Sequence, residues 1–163
     1  MGTISSSGPA SRTALCRLAE DAAELAAHFD VRRRVFVDLQ GLFEGTDRDL
    51  RDTWAGTLHV VGVVADGLVA GAVRLYPLDD AGLWQGDRLA VLPEARVRQL
   101  GAQLVRFAVA TAGERGGHTM VARIQLPNVR FFEQLGWSTD GPPAPYHGVM
   151  HQPMAIPLAA LSP

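Results

Sequence analysis

Two apolar runs, residues 58–65 and 68–76, are separated by only Asp66 and Gly67. Both of these residue types tolerate a positive φ, and an Asp-Gly link between apolar runs is typical of a tight β-hairpin. A third apolar run, residues 83–92, follows a short Asp-Asp-Ala-Gly turn and stops at Pro93. Strands joined by such short links are usually neighbours in an antiparallel meander. The chain is therefore predicted to fold around a sheet.

Helical periodicity flanks this meander on both sides. Apolar residues at three- and four-residue steps predict one helix from Glu20 to about residues 39–41 and another over residues 98–114. A weaker helix is predicted over residues 47–54, with Thr46 as its N-cap. A first strand is predicted over residues 13–18. After the second long helix we predict a strand over residues 118–126, a short helix over 128–135 and a last strand over 149–158.

Length and composition allow one domain of this kind. The 163 residues are 47% hydrophobic and 20% charged, which is typical of a single globular domain with its own core. We expect a flexible N-terminal tail over residues 1–12 and one domain over residues 13–163. The element order predicts an α/β fold, more narrowly α+β, in which a mixed and mostly antiparallel central sheet is flanked by helices.

Charge and hydropathy argue against several classes of partner. The net charge of −2 provides no general electrostatic reason to bind nucleic acid or an anionic membrane. Residues 1–12 lack the apolar centre of a signal peptide, and no apolar run approaches the ~20 residues that cross a bilayer. A single cysteine and two histidines set among prolines, His147 and His151, do not predict a metal site. We expect a cytoplasmic protein without a bound metal.

The segment over residues 88–104 is the one most clearly linked to chemistry. A strand ends at a proline, a short polar turn follows, and a helix starts among Arg96, Arg98 and Gly101. The first turn of a helix has unpaired N–H groups and the positive end of the helix dipole. A diphosphate can accept those hydrogen bonds, while the arginines add charge and Gly101 allows close approach. Spacing alone equally allows an ordinary connection with solvated arginines.

This segment resembles the acyl-coenzyme A (acyl-CoA) motif of the Gcn5-related N-acetyltransferase (GNAT) family, Arg/Gln-x-x-Gly-x-Gly/Ala, and the Arg-Leu-Ala-Val-x-Pro run that typically precedes it. The preceding run is matched by residues 88–91 with Pro93. Arg96 takes the first motif position and Gly101 the last, while Gln99 replaces the middle glycine. In the family, backbone amides at this position hold the cofactor, and the preceding strand splays from its neighbour.

Three further runs are similar to parts of the same family. Residues 125–137 resemble its Asn-x-x-Ala-x-x-Phe-Tyr-x-x-x-Gly-Phe helix, with three residues missing after Asn128. Residues 32–41 are similar to Arg-x-x-Val-Phe-Val-x-x-Gln of one branch, and residues 145–150 to the Pro-His-x-x-Met of that branch. Together the pieces cover about residues 13–158 and most resemble a bacterial GNAT subfamily encoded in nitrilase-containing, nitrogen-starvation-linked gene clusters.

The resemblance implies an N-acetyltransferase in which the amine of a small molecule attacks acetyl-CoA, the co-substrate, directly in a ternary complex. It also implies which residues bind the co-substrate: Leu89, Ala90, Val91, Arg96, Val97, Arg98, Gln99, Leu100, Gly101, Ala102, Asn128, Phe131 and Phe132.

The catalytic base is less directly implied. Many GNAT enzymes have a glutamate at the position of Gln85, which cannot take a proton. Asp87 lies two residues further along the strand and so on the same face, which makes it the first candidate. Glu44 and His147 are the next candidates.

The catalytic acid is also replaced in this chain. Phe132 stands where the family often has a tyrosine, so Tyr146 is the candidate acid by family position. These two replacements favour an alternative, an acyl-CoA-binding regulatory module without turnover. The Arg-x-x-Val-Phe-Val resemblance alone suggests another, an acyltransferase that makes a signalling amide. Apolar strands near the C-terminus could also form the edge of a homodimer.

Overall fold

The computed structural model describes residues 15–95 and 99–158. Within them, eight strands form one sheet: β1 (Leu15–Leu18), β2 (Leu58–Val63), β3 (Val69–Pro77), β4 (Leu83–Val91), β5 (Thr119–Gln125), β6 (Ser138–Thr139), β7 (Ala144–Tyr146) and β8 (Val149–Pro157). The α-helices are α1 (Ala22–Arg32), α2 (Leu100–Glu114) and α3 (Val129–Gln134).

The strand order in the sheet is β1-β2-β3-β4-β5-β8-β6, and β7 pairs with β8. Among these strands, β4 and β5 are parallel and the other neighbours are antiparallel. The parallel pair needs a crossover, and α2 provides it. The predicted mixed α/β fold is confirmed. The short strands β6, of two residues, and β7, of three, were not predicted, because so few residues carry no readable periodicity.

The predicted hairpin between β2 and β3 is confirmed. Asp66 has a φ of 73° and Gly67 a φ of 78°, so both residues adopt the left-handed conformation that Asp-Gly links favour. The three strands of the meander lie within two residues of their predicted bounds. Local turn chemistry was sufficient here because the turn itself sets the pairing of its strands.

The weaker helix predicted over residues 47–54 is wrong. This part of the chain has only a 3₁₀ turn, Leu50–Thr53, whose N-cap is Asp49 and not Thr46. The reason is that the side chains of Asp47 and Asp52 bind a buried arginine of α1, which holds the segment in an extended loop. The first long helix does end at the predicted place, but its last part, Arg33–Leu39, is a π-helix.

The helices cover both faces of the sheet, and we call these the α1 face and the α2 face. Ala72 and Ala90 pack on the α1 face, whereas Val73 and Leu75 belong to the core that includes α2. The α2 contact is close because Gly62 and Gly71 are directly paired. A Cβ at either glycine would lie only 2.8 Å from a leucine methyl of α2, which is closer than van der Waals contact allows.

Candidate active site

The central strands β4 and β5 separate part of the way along the sheet. They pair at Leu83↔Thr119, Trp84↔Met120 and Gln85↔Val121, with no pairing further on. β5 instead stays paired with β8 as far as Gln125↔His151. The gap opens a pocket, as the resemblance implied for this strand. Its lining includes residues from both faces: Phe36, Phe43, Asp87, Arg88, Leu89, Met120, Arg123, Asn128, Phe132, Trp137, Tyr146 and His151.

A β-bulge in β4 shapes one wall of this pocket. Arg74 pairs with Asp87 and Ala72 with Ala90, so Val73 opposes two residues of β4 instead of one. Arg88 takes a φ of 54° at the bulge. Successive strand residues normally point to opposite faces, but the bulge directs both Asp87 and Arg88 toward the α1 face, where each binds a partner described below.

Three buried arginines form the centre of the α1 face, and the first is Arg32. Its Nε donates to Asp47 Oδ2 at 2.7 Å, and its Nη1 and Nη2 donate to Asp52 at 2.8 and 3.0 Å. Nη1 also lies 3.2 Å from Nε2 of His28, whose Nδ1 lies 2.9 Å from the carbonyl oxygen of Val60. A carbonyl only accepts, so Nδ1 of His28 donates and Nε2 accepts.

The second buried arginine, Arg74, binds the carboxylate of Asp87, the first candidate for the base. Its Nε and Nη2 donate to the two carboxylate oxygens of Asp87, each at 2.7 Å. Its Nη1 donates to Asp49 Oδ1 at 2.7 Å. The hydroxyl of Tyr76 also donates to Asp87, at 3.1 Å. Asp87 does line the pocket, but both of its oxygens already accept hydrogen bonds.

The third arginine, Arg88, links this network to the pocket. Its Nε donates to Asp47 Oδ2 at 3.0 Å, and its Nη2 donates to the carbonyl oxygen of Asp47 at 3.0 Å. Its Nη1 donates to the hydroxyl oxygen of Tyr146 at 3.1 Å. Because that oxygen acts as an acceptor, the hydrogen of Tyr146 is free to be donated elsewhere. The guanidinium also lies 4.5 Å from the centre of the Phe43 ring.

Burial and neighbouring groups shift the pKa values of three side chains in and beside this network, Asp52, His28 and Tyr76. Burial alone would raise the pKa of Asp52, but hydrogen bonds from His59 and Arg32 outweigh it and hold that pKa well below its usual range. Burial and the charge of Arg32 lower the pKa of His28 to about 3. Burial and the charge of Asp87 raise the pKa of Tyr76, which therefore stays a hydrogen-bond donor.

The α2 face of the same gap is apolar. Leu89, Met120 and Phe132 belong to the core that α2 covers, and they line the pocket from that side. Phe132 is 6% exposed and packs edge-on against Trp137 with ring centres 5.4 Å apart. Phe132 has no hydroxyl proton to donate and is part of the core, so it cannot act as the acid in place of the tyrosine of the family motif.

The N-terminus of α2 differs slightly from its prediction. Residues 96–98, which hold the predicted ligands Arg96, Val97 and Arg98, lie outside the described residues, and α2 begins at Leu100 rather than residue 98. Gln99 precedes it with a φ of 76°, a left-handed conformation that favours the glycine it replaces.

The first turn of α2 divides into a buried and an open part. Leu100 and Ala102 point into the core. A Cβ at Gly101 would meet only Phe131 at 3.7 Å and Val91 at 4.0 Å. Internal packing therefore does not require glycine at position 101, unlike positions 62 and 71.

The structure groups some predicted residues and separates others. Asp87, Leu89, Asn128, Phe132 and Tyr146 line the pocket. Glu44 and His147 are exposed and are not among its lining residues.

Two pocket residues were missed as site candidates, His151 and Arg123. The sequence pattern raises His151 only as a possible metal ligand and does not single out Arg123. Both are polar residues in strands rich in apolar side chains, and the alternation of Arg123 with its apolar neighbours Ala122 and Ile124 was the available signal.

The parallel central pair of the sheet opens into a pocket, and the crossover helix α2 lines that pocket with Val105 and Ala108. This architecture matches the class of acyl-CoA-handling α/β proteins that the resemblance implied. A sequence profile described as the acetyltransferase (GNAT) family matches residues 30–137, more than half of the chain. The protein belongs to the GNAT acetyltransferase family.

Individual relatives agree with this family. An uncharacterized N-acetyltransferase of Schizosaccharomyces pombe is 30% identical over 108 residues, which cover 61% of this chain and 66% of the relative. The match therefore spans slightly less than two thirds of the relative's length.

Solved structures share the fold. A protein of Lactobacillus plantarum assigned as an N-acetyltransferase has a TM-score of 0.80 at 23% identity, with 90% of this chain and 99% of that chain covered. An acyl-CoA N-acyltransferase of Pseudomonas aeruginosa has a TM-score of 0.75 at 21% identity, with coverages of 88% and 99%. The CoA-dependent acyl-homoserine lactone synthase BjaI has a TM-score of 0.69 at 18% identity, with coverages of 83% and 76%.

One negative finding concerns membranes. Within residues 15–95 and 99–158, no helix has both the length and the apolar character to span a bilayer.

Proposed function

We propose that this protein is an N-acetyltransferase that transfers an acetyl group from acetyl-CoA to the amine of a small molecule by direct attack in a ternary complex. The observation that carries this proposal is the separation of β4 from β5 beyond Gln85 and Val121. The gap is reached from the apolar α2 face and from the polar α1 face. A thioester and an amine can therefore meet in it from opposite sides.

Acyl-CoA would bind on the α2 side. Beyond Gln85, the edge of β4 that faces β5 makes no ladder hydrogen bonds, so the backbone at Leu89 and its neighbours is available to pantetheine amides. The open space at Gly101 and the unpaired N–H groups of the first turn of α2 suit a diphosphate. The side chains of Asn128 and Phe132 would line the path to the gap.

Tyr146 is the proposed acid. Its hydroxyl oxygen accepts from Arg88, which orients the hydroxyl and leaves its hydrogen for the sulfur of the departing CoA. When the amine nitrogen forms its bond to the carbonyl carbon and the C–S bond breaks, the thiolate takes this proton.

The three predicted bases, Asp87, Glu44 and His147, differ in how well they could reach an amine in the pocket. Asp87 is in the pocket, but Arg74 holds both of its oxygens, and Glu44 and His147 are outside the pocket lining.

The main alternative is a regulatory module that binds acyl-CoA without turnover. Gln85, which cannot take a proton, and Phe132, which has none to give, favour it. Against it, the pocket contains Tyr146 and a second titratable side chain, His151. For a signal-amide synthase, the fold shared with BjaI is the additional support, and SAM, which the BjaI structure contains together with isopentyl-CoA, belongs in the substrate panel.

Release of CoA thiol from acetyl-CoA across a panel of small amines, measured beside calorimetric binding of acetyl-CoA, tests this proposal. We expect micromolar to millimolar binding and turnover on at least one amine. Tyr146→Phe should lower kcat by roughly 10- to 100-fold and leave the affinity for acetyl-CoA unchanged. Binding without turnover on any amine would leave the regulatory module as the better account.

The diphosphate assignment has its own test. Arg98→Glu should weaken acetyl-CoA binding strongly, whereas the matched change Arg115→Glu, at the far end of α2, should not. Equal affinities of the two variants would count against a diphosphate at the start of the helix.

A further inference from the structure

One histidine in the pocket has its tautomer set by the backbone. His151 lies in β8, is only 4% exposed, and lines the pocket. Its Nδ1 lies 2.7 Å from the carbonyl oxygen of Val149, and since a carbonyl only accepts, Nδ1 carries the hydrogen. Nε2 therefore carries a lone pair. Within the described part of the chain Nε2 makes no hydrogen bond, and it is not among the polar atoms sealed in the core.

Strand register places His151 on the same side as the proposed amine. His151 is directly opposite Gln125 in the antiparallel β5–β8 pair, and opposed residues share a face. Ile124 and Met154, the neighbours of opposite parity, belong to the core on the α2 face. His151 therefore faces the α1 side, where its ring centre is 5.2 Å from that of Tyr146.

The charged groups around His151 leave it free to act. Tyr146 of β7 packs on its ring, and the guanidinium of Arg123, from β5, lies over the ring of Tyr146. Arg88 of β4 also reaches Tyr146 and not His151. Asp87, a carboxylate lining the same pocket, accepts hydrogen bonds from Arg74 with both of its oxygens. No described residue therefore competes for Nε2.

We propose that Nε2 of His151 is the general base that takes the proton from the acceptor amine, an inference that rests on the proposed acetyl transfer. The ammonium form of the acceptor gives one proton to Nε2 and attacks as the neutral amine. The C–N bond forms, the nitrogen loses a second proton to solvent, and the C–S bond breaks. Tyr146 protonates the thiolate and regains its proton from the imidazolium of His151. The sum is amide, free CoA thiol and one released proton.

His151→Asn is the sharpest variant for this proposal. An asparagine amide can still donate to the carbonyl of Val149 from near the position of Nδ1, but it has no basic atom in the pocket. We expect kcat/KM to fall by about 10²- to 10⁴-fold at neutral pH. The loss should shrink as pH rises toward the pKa of the acceptor amine, since the substrate then arrives already deprotonated. His118→Asn, at an exposed residue before β5 and outside the pocket lining, is the matched control.

Thermal unfolding and acetyl-CoA affinity separate a catalytic role from a structural one. Both should be unchanged in His151→Asn. A variant that is as active as wild type, or that loses activity equally at every pH, overturns the assignment of His151 while wild-type turnover keeps the proposed function. A variant with reduced stability and reduced acetyl-CoA affinity overturns it as well. If wild type itself turns over no amine, the proposed function fails first and this inference with it.

The arginines on the α1 face differ in whether they bind a carboxylate of this chain, and this difference supports a separate inference. Arg32, Arg74 and Arg88 each bind aspartates. Arg123, on the same side of β5 as Gln125, makes no ion pair with another residue of 15–95 and 99–158. Its guanidinium lies 5.1 Å from the centre of the Tyr146 ring, which holds it beside the pocket it lines.

We infer that Arg123 binds a carboxylate of the acceptor, so that the acceptor class is an amine that also carries an acid group. An arginine fork matches a carboxylate in geometry and charge, and the proposed acyl-CoA phosphates lie on the opposite face. This inference also rests on the proposed acetyl transfer.

Pairs of acceptors that differ in one group test this class, for example alanine with ethylamine and β-alanine with propylamine. Arg123→Gln should lower kcat/KM for the amino acids by about 10- to 100-fold, as expected for a lost charge-assisted hydrogen bond, and change it less than about twofold for the plain amines. Arg115→Gln is the control. Equal losses on both members of a pair, or a wild-type preference for the plain amines, would overturn the inference.

Discussion

The two faces of the separated β4 and β5 strands are built by different physics. On the α1 face, buried arginines and aspartates make hydrogen bonds with defined partners and short distances. On the α2 face, apolar side chains pack around glycines that let the helix approach. One face holds its shape by pairing charges, and the other by filling space. The proposed transfer would use both environments, one for an amine that must lose protons and one for a thioester that must be kept from water.

The bulge at Arg88 is where the two environments meet. By adding one residue opposite Val73, it directs two successive polar residues, Asp87 and Arg88, to the α1 face and returns Leu89 to the α2 face. A regular strand would have sent one of the polar residues into the apolar core.

Removal of one carboxylate on the α1 face should have the largest effect on stability. Asp47→Ala leaves both Arg32 and Arg88 buried without the oxygen that they share. We expect a loss of about 3–5 kcal/mol in the free energy of unfolding, measured by urea denaturation. Asp30→Ala removes an exposed ion pair with Arg33 and should change nothing measurable. Similar behaviour of the two variants would mean that charge pairing does not hold this face.

The second largest expected effect is a loss of stability at low pH, caused by His28 on the α1 face. His28 stays neutral in the fold down to a pKa of about 3, but its unfolded form takes a proton near pH 6.5. Between these values the unfolded state binds more protons, so stability falls as pH is lowered, by up to about 1.4 kcal/mol per pH unit. His28→Gln should flatten this slope in urea titrations at several pH values. An unchanged slope would place the acid sensitivity elsewhere.

Two glycines on the α2 side separate packing from ligand space. Gly71→Ala should cost about 1–3 kcal/mol, because its Cβ would meet a methyl of Leu104 at 2.8 Å. Gly101→Ala has no such contact, so it should keep or raise stability by up to about 1 kcal/mol while weakening acetyl-CoA binding. Calorimetry and urea denaturation measure both. Full acetyl-CoA affinity in Gly101→Ala would show that no ligand group approaches there.

The smallest expected effect is a gain. Gln99 has a left-handed φ of 76°, which costs a residue with a side chain about 1 kcal/mol relative to glycine. Gln99→Gly should raise stability by up to that amount in urea denaturation, with acetyl-CoA affinity unchanged or improved. A loss of stability would mean that the Gln99 side chain makes a compensating contact.

Elements whose signal is local were predictable from residue order. The Asp66-Gly67 hairpin, the strand stopping at Pro93 and the amphipathic α2 follow from turn chemistry and periodicity. The helix predicted over residues 47–54 failed because its aspartates are used by Arg32 and Arg88, which are distant in sequence.

Sequence order was thus enough for the mixed sheet, the crossover helix and the family, because these depend on residues a few positions apart. It could not provide the pairing of Asp87 with Arg74, the exposure of Glu44 and His147, or the tautomer of His151, whose Nε2 has no hydrogen-bond partner among the described residues. Those depend on which side chains from separate strands meet at the bulge and at the β5–β8 pair. Long-range pairing of charges leaves no periodic trace in a single sequence, so it becomes visible when the sheet is assembled.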